Sequence, residues 1–204
     1  MATINQSQFN KSRLDKFLLV FNLPPVLKDI SKQYLGAREN TVVIEDSLQF
    51  SVYGSVVPSI KVPEENLGYA GQSFKISKHS RPPYENVKVN FTIDNEFNNY
   101  WVIYKWLDLL NDEKTSQFNG KGILKTANVS TKEKNQNKTS TSPDLYQTDI
   151  TLYALDEFDK NKVKFVYTNA FPVDLGGINF NYRESGEIET TFEFAFSQLL
   201  VELV

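Results

Sequence analysis

Three carboxylates spaced along one alternating segment, Glu187, Glu189 and Glu193, are the first residues to consider for chemistry. Residues two apart on a strand lie ~6.5 Å apart, a separation at which two carboxyls can flank a glycosidic bond. A sugar site also needs stacking aromatics beside its acids, whereas Phe192, Phe194 and Phe196 fall on the opposite face. The glutamates therefore read as a polar face backing an apolar row. His79 is the sole histidine; it follows a strand in a Lys- and Pro-rich turn, and no Gly-x-Ser-x-Gly elbow accompanies it. It reads as an exposed turn residue. Gly120-Lys121 lacks the earlier glycine of a phosphate-binding loop. Asp156, Asp159 and Asn161 depart from calcium-loop spacing and lack its bidentate glutamate, so they read as a charged hairpin turn. With no cysteine in the chain, thiolate metal sites and cysteine nucleophiles are excluded. The expectation is a protein with no catalytic, cofactor or metal site, and not an enzyme.

Stepping from side chains to the elements that carry them, 204 residues with 40% hydrophobic and 23% charged content suit a single domain with one core. The net charge of −3 provides no basic field to hold a phosphate backbone. The first residues lack a basic region followed by an apolar core and a cleavage site, and no apolar run approaches the ~20 residues of a membrane helix. A non-secreted protein without membrane insertion is expected.

A period of two dominates. Val87, Val89, Phe91 and Ile93 alternate with Lys88, Asn90 and Thr92, which marks a half-buried strand. Similar alternation marks strands over 48–53, 74–78, 150–154 and 178–183, and a β-branched, aromatic stretch over 162–171 is expected to stop at Pro172. The most two-faced strand sets Ile188, Thr190, Phe192, Phe194 and Phe196 against Glu187, Glu189, Glu193 and Ser197.

One segment, 96–111, repeats Phe97, Tyr100, Trp101, Tyr104, Leu107 and Leu110 at helical steps. A helix of about 95–111 is expected, capped by Asp94 or Asn95, with Phe97, Trp101, Tyr104 and Leu107 turned to the core. Residues 115–143 form a long polar loop with a short extended piece near Ile123. Residues 1–40 supply an arm, a first strand at 17–21 and a short helix at 26–34, and residues 41–204 hold the β-domain. The fold class is mainly β: two packed antiparallel sheets, sandwich- or barrel-like, with one flanking helix.

The segment TIDNEFNNYWVIYKWLDLLND, a strand running into an aromatic helix, resembles the tail tube proteins of contractile-tailed, T-even-type bacteriophages. Val57-Pro58, Val62-Pro63, Tyr69, Gly71 and Phe74-Lys75-Ile76 upstream fit the same pattern, as do Ala170-Phe171-Pro172, Leu175-Gly176 and Glu187-Ile188-Glu189-Thr190-Thr191-Phe192 downstream. The resemblance covers roughly residues 48–197. It implies a hexameric ring, related to the ring protein of type VI secretion, that stacks into a hollow tube whose lumen is a continuous barrel. It further implies tail sheath, baseplate and tape-measure proteins as partners, passage of double-stranded DNA without specific binding, manufacture in the host cytoplasm and residence in the virion tail.

Physical arguments agree with that implication. The long alternating strands carry few edge prolines or bulge glycines, the usual defences against edge-to-edge pairing. Six touching spheres of the ~21 Å radius expected for this chain length leave a hole of about the same radius, wide enough for a duplex. Glu187, Glu189 and Glu193 are candidates to line that lumen and repel DNA. Pro63, Glu64, Glu65, Asn66 and Leu67, with Lys132, Lys134 and Lys138 in the long loop, are candidates for ring-to-ring contacts. The N-terminal extension and long loop leave room for a baseplate tube initiator or a terminal ring. A different class, a monomeric β-sandwich that binds carbohydrate through exposed Tyr and Asn, is the alternative. Deleting residues 132–142 is expected to shorten or abolish tubes in negative-stain images while leaving a folded monomer; normal tubes would reject the loop's role.

Overall fold

The longest strand, Asn161–Leu175, belongs to two sheets at once and sets the architecture. The computed structural model describes residues 12–24, 27, 47–48, 51–111, 146–183 and 185–204. In chain order its elements are β1 (Phe17–Asn22), β2 (Ser47–Leu48), β3 (Ser51–Ser55), β4 (Glu64–Tyr69), β5 (Gln72–Ser77), β6 (Val87–Thr92), α1 (Asn98–Leu110), β7 (Thr148–Leu155), β8 (Asn161–Leu175), β9 (Glu189–Ala195) and β10 (Gln198–Leu203).

The first half of β8 lies between β7 and β10, and β7 continues through β1 to β2. Its second half pairs with β9, which continues through β6 to β3. All these pairings are antiparallel. Phe171 stands opposite Ala195 and Thr168 opposite Gln198, so β9 and β10 follow β8 in one unchanged register across the break at Phe196-Ser197. Asn169 takes a left-handed φ of 53° at that break. There the ribbon passes from one sheet to the other, the usual use of a local irregularity in a strand.

Alternation puts one face of each sheet into a shared core. Phe21, Ile150, Tyr167 and Leu199 form a row across the first sheet, and each is buried. Val87 with Phe194, and Val89 with Phe192, form the facing rows of the second. Phe21 meets Phe192 at 5.3 Å, and Tyr167 meets Phe194 edge-on at 5.2 Å, which locks the two layers together.

Helix α1 spans 98–110, inside the expected 95–111. Its buried residues are Asn99, Val102, Ile103, Trp106 and Leu109; of the expected core face, Phe97, Trp101 and Leu107 do pack against the core though only partly buried, and Tyr104 is corrected to the outside. Tyr104 is exposed, Trp101 and Leu107 are half-buried, and Phe97 sits in the left-handed region at the N-cap. The segment is apolar nearly all round, so its period fixes a helix without fixing the phase. The compact Val102 and Ile103 took the interior and left Tyr104 outside. Asp94 does serve the helix start, its carboxylate accepting the Asn98 amide at 2.7 Å. Buried Asn99 donates to the Thr92 carbonyl at 2.9 Å, and Trp106 Nε1 donates to the Tyr146 carbonyl at 2.7 Å. These two bonds fasten the helix to the end of β6 and to the start of β7.

Other expectations are corrected too. β8 does not stop at Pro172 but continues to Leu175, with a register shift between Pro172 and Asp174; proline is tolerated at such a bulge. Residues 178–183 form no strand, and Phe180 and Tyr182 are exposed. Alternation there pairs with no strand among the described residues. The run at 48–53 is divided, β2 pairing with β1 and β3 with β6. The C-terminal residues add β10, which its dense apolar composition concealed from a period-two search. Helix 26–34, apart from the buried Leu27, and the loop 115–143 lie outside the described residues.

The turn between β7 and β8 shows what the acidic cluster does. The Asp156 carboxylate accepts the amides of Phe158 at 2.8 Å and Lys160 at 2.9 Å and pairs with Lys162 at 3.4 Å. The backbone bond from Lys160 chiefly holds this carboxyl below its ordinary range. It is a hairpin turn. In the core, the Tyr167 hydroxyl is buried with no hydrogen-bond partner among the described residues, and burial pushes its pKa up. Tyr167→Phe is expected to raise unfolding free energy by about 1 kcal/mol, because an unsatisfied buried donor is removed without leaving a cavity. Urea denaturation checks this; a loss of stability would mean that the hydroxyl has a partner.

Candidate functional site

Strands β4 and β5 pair only with each other, and every residue in both is exposed. The two-residue turn Ala70-Gly71 takes φ of 49° and 78°. Positive φ at both positions matches the twist of a tight hairpin and is why glycine suits position 71. The pairing Leu67 to Phe74, Glu65 to Ile76 and Tyr69 to Gln72 gathers the apolar residues on one side. Leu67 is 48% exposed, Tyr69 75%, Phe74 49% and Ile76 43%. The other side carries Glu64, Asn66, Ser73 and Lys75, with Lys75 paired to Glu64. A lone two-stranded hairpin is marginal in water, and this one leaves its apolar face without cover among the described residues.

The arm is free but its root is held. Two proline-bearing straps, residues 56–63 and 78–85, join it to the body, and Lys78 N–H donates to the Pro63 carbonyl at 3.0 Å. Tyr84 stacks on Phe196 at 5.0 Å, which ties one strap to the core. Between the straps lies an open cleft of about 240 Å³ lined by Pro58, Lys61, Arg81 and Tyr84 among others. His79 sits in a strap, exposed and with φ of 51°, donating its amide to Ser77 Oγ.

A second surface is the outer face of the sheet β8-β9-β6-β3. Asp174, Glu193 and Lys88 stand in one row across it, Thr191 and Asn90 in the next with Gly54, and Glu189 and Thr92 beyond with Ser51. No large aliphatic side chain belongs to these rows. Tyr53 Oη donates to Glu189 at 3.0 Å; desolvation first, then the carboxylate, raises the tyrosine's pKa. A Cβ at Gly54 would lie 2.8 Å from Asn90 Nδ2, the end of a side chain that would have to turn aside. Three carboxylates against one lysine make the face mildly acidic. Glu189 and Glu193 are therefore together on one face, while Glu187 is exposed just before β9 and outside the ladder. Asp174 joins them although sequence reasoning missed it, since its strand was expected to end at Pro172.

The third surface is β10. It pairs with β8 on one side, and the described residues offer its other edge no strand. Leu200, Val201, Leu203 and Val204 are exposed there. The edge has no proline and a single charge, Glu202, which pairs with Lys164 at 3.3 Å. Among the expected contact residues, Glu64, Glu65, Asn66 and Leu67 lie in β4 and Pro63 immediately precedes it, whereas Lys132, Lys134 and Lys138 lie outside the described residues. Among the described residues no group of three or more His, Asp or Glu could hold a metal ion, and no helix is long and apolar enough to cross a membrane.

Comparison with known proteins gives these surfaces a context. The phage tail tube protein family model matches residues 12–202. No curated protein sequence matches. Among solved structures, the tube-terminating cap of the anti-feeding prophage superposes with a TM-score of 0.55 at 13% identity, covering 95% of this chain and 92% of that one. The sheath–tube complex of the PVC extracellular contractile injection system gives 0.55 at 11% identity, covering 100% of both chains. The sheath/tube terminator of the same system gives 0.55 at 10%, with 94% and 96% covered. At these identities the likeness establishes the fold.

Because none of the hairpin's apolar residues belongs to the described core or packs against it, Leu67→Ser, Phe74→Ser and Ile76→Ser are each expected to change the stability of the unassembled protein by less than ~0.5 kcal/mol. Urea titration checks this, and a loss beyond ~2 kcal/mol would show that the arm packs against its own chain.

Proposed function

Because the chain belongs to the phage tail tube protein family and is a structural subunit of the virion tail tube, we propose that its copies close into hexameric rings and stack into a hollow conduit. The observation that carries this is the β4–β5 arm, a folded hairpin whose apolar side has no cover within the described subunit. Assembly gives it one. The arm, with Pro63, Glu64, Glu65, Asn66 and Leu67, makes ring-to-ring contacts, and Lys132, Lys134 and Lys138 belong to the same set.

The polar face of β8-β9-β6-β3 lines the lumen. A conduit must not hold its cargo, and a wall of Lys and Arg would give each phosphate a site for counterion release. Glu189, Glu193 and Asp174, offset only by Lys88, avoid that for a passing DNA duplex. No chemistry is asked of these carboxylates, and the subunit acts as a wall, not an enzyme. Sheath, baseplate and tape-measure proteins are its other partners in the tail. The family match does not favour the carbohydrate-binding alternative.

The chain lacks cysteine, so Glu193→Cys gives a unique reporter. In assembled tubes a small maleimide is expected to label it while a bulky polymer-linked maleimide, too wide to enter the lumen, is excluded. Equal labelling by both would place this face outside the tube, and the failure of wild-type protein to form rings or tubes in negative stain would reject the conduit itself.

A further inference from the structure

The assembled state needs a partner for the arm, and β5 and β10 fit one another residue by residue. Both strands have six residues, both have an edge without a described neighbour, and each carries one charged residue between two apolar ones, Lys75 between Phe74 and Ile76 and Glu202 between Val201 and Leu203. Reading β5 forward gives Phe74-Lys75-Ile76-Ser77, and reading β10 backward gives Leu203-Glu202-Val201-Leu200. We propose that β5 of one copy adds antiparallel to the free edge of β10 in a neighbouring copy, with Lys75 opposite Glu202. This pairing rests on the self-assembly argued above and specifies its contact.

That single register satisfies every constraint. Phe74 comes opposite Leu203 and Ile76 opposite Val201, on the side where Val201 and Leu203 follow Leu199 towards the core. Val201 is 51% exposed and Leu203 88%, so both gain cover along with Phe74 and Ile76. On the other side Lys75 and Glu202 meet with opposite charge, each beside its existing partner, Glu64 and Lys164. Opposite-charge and apolar cross-strand pairs are the stabilising units of a sheet, and a slip by one residue would set Lys75 against an apolar neighbour and turn the paired faces apart. Main-chain bonds provide affinity in such strand addition, and side-chain alternation provides the register. The marginal two-stranded hairpin becomes part of a larger sheet. β10 contains no proline and no bulge, two of the usual guards against strand addition, which leaves its outer edge open to receive a strand.

Cysteine pairs test the register in an otherwise cysteine-free chain. Full-length protein carrying Ile76→Cys and Val201→Cys should, on oxidation at assembling concentration, give a ladder of covalent multimers on a denaturing non-reducing gel. Lys75→Cys with Val201→Cys, one residue out of step, should give at least about tenfold less. As an independent arm, Lys75→Glu and Glu202→Lys should each lower the yield of assembled protein about tenfold, and the double exchange should restore it. Equal cross-linking by the two cysteine pairs, or single charge variants that assemble like wild type, would overturn this pairing while leaving the tube intact. Wild-type protein that never associates would overturn both the pairing and the tube.

Discussion

The constraint on which the rest depends is the continuous ladder between β8 and the β9–β10 arm. A strand of 15 residues is far longer than a flat two-layer packing needs. Its length lets one pair of strands serve two sheets, bent at Asn169 with no change of register. Every core row passes through it or faces it. Tyr167 and Ala170 bury from β8, Phe192 and Phe194 from β9, and Leu199 from β10. Helix α1 is secondary in this sense. It closes the core by apolar contact through Val102, Ile103 and Trp106, and two side-chain bonds at its ends fix where it lies.

Two kinds of surface result. The outer face of β8-β9-β6-β3 is polar and can stay wet, while the β4–β5 arm and β10 keep apolar side chains in water. A monomer gains nothing from that second arrangement, since exposed apolar area is a cost that only burial elsewhere recovers. The division into a wettable face and adhesive edges is what a hollow assembly asks of its subunit. The arm is rigid where it leaves the body, through Tyr84 on Phe196 and the Lys78–Pro63 bond, and unsupported where it must be available.

Much of this was legible from the residues. Alternation located β6, β7 and β9 and assigned Glu189 and Glu193 to one side correctly, because a half-buried strand writes its two faces into its sequence. Three features escaped. Helix α1 is apolar around most of its circumference, so its period could not say that Val102 and Ile103 would be inside and Tyr104 outside. Ile178, Phe180 and Tyr182 alternate as a strand does but pair with no strand among the described residues, and pairing is a tertiary fact. β10 and the far end of β8 were hidden, the first by its unbroken apolar run and the second by Pro172, whose usual effect as a terminator is overruled by a bulge. Asp174 was lost with that end. The family resemblance, by contrast, came from the order of several weak signals, none of which would identify the fold alone.

The shared register of the ribbon has an evolutionary corollary. Away from the bulge at Pro172–Asp174, which already absorbs one such residue, adding or removing a residue on either arm would turn the side chains of both layers to the opposite faces beyond that point. The described residues of the connection between the arms lie beyond the last bond of the ladder, from the Gly176 amide to the Thr191 carbonyl, and Phe180 and Tyr182 among them face solvent. Length variation among descendants of this chain should therefore collect in that connection, and the two arms should drift by substitution alone.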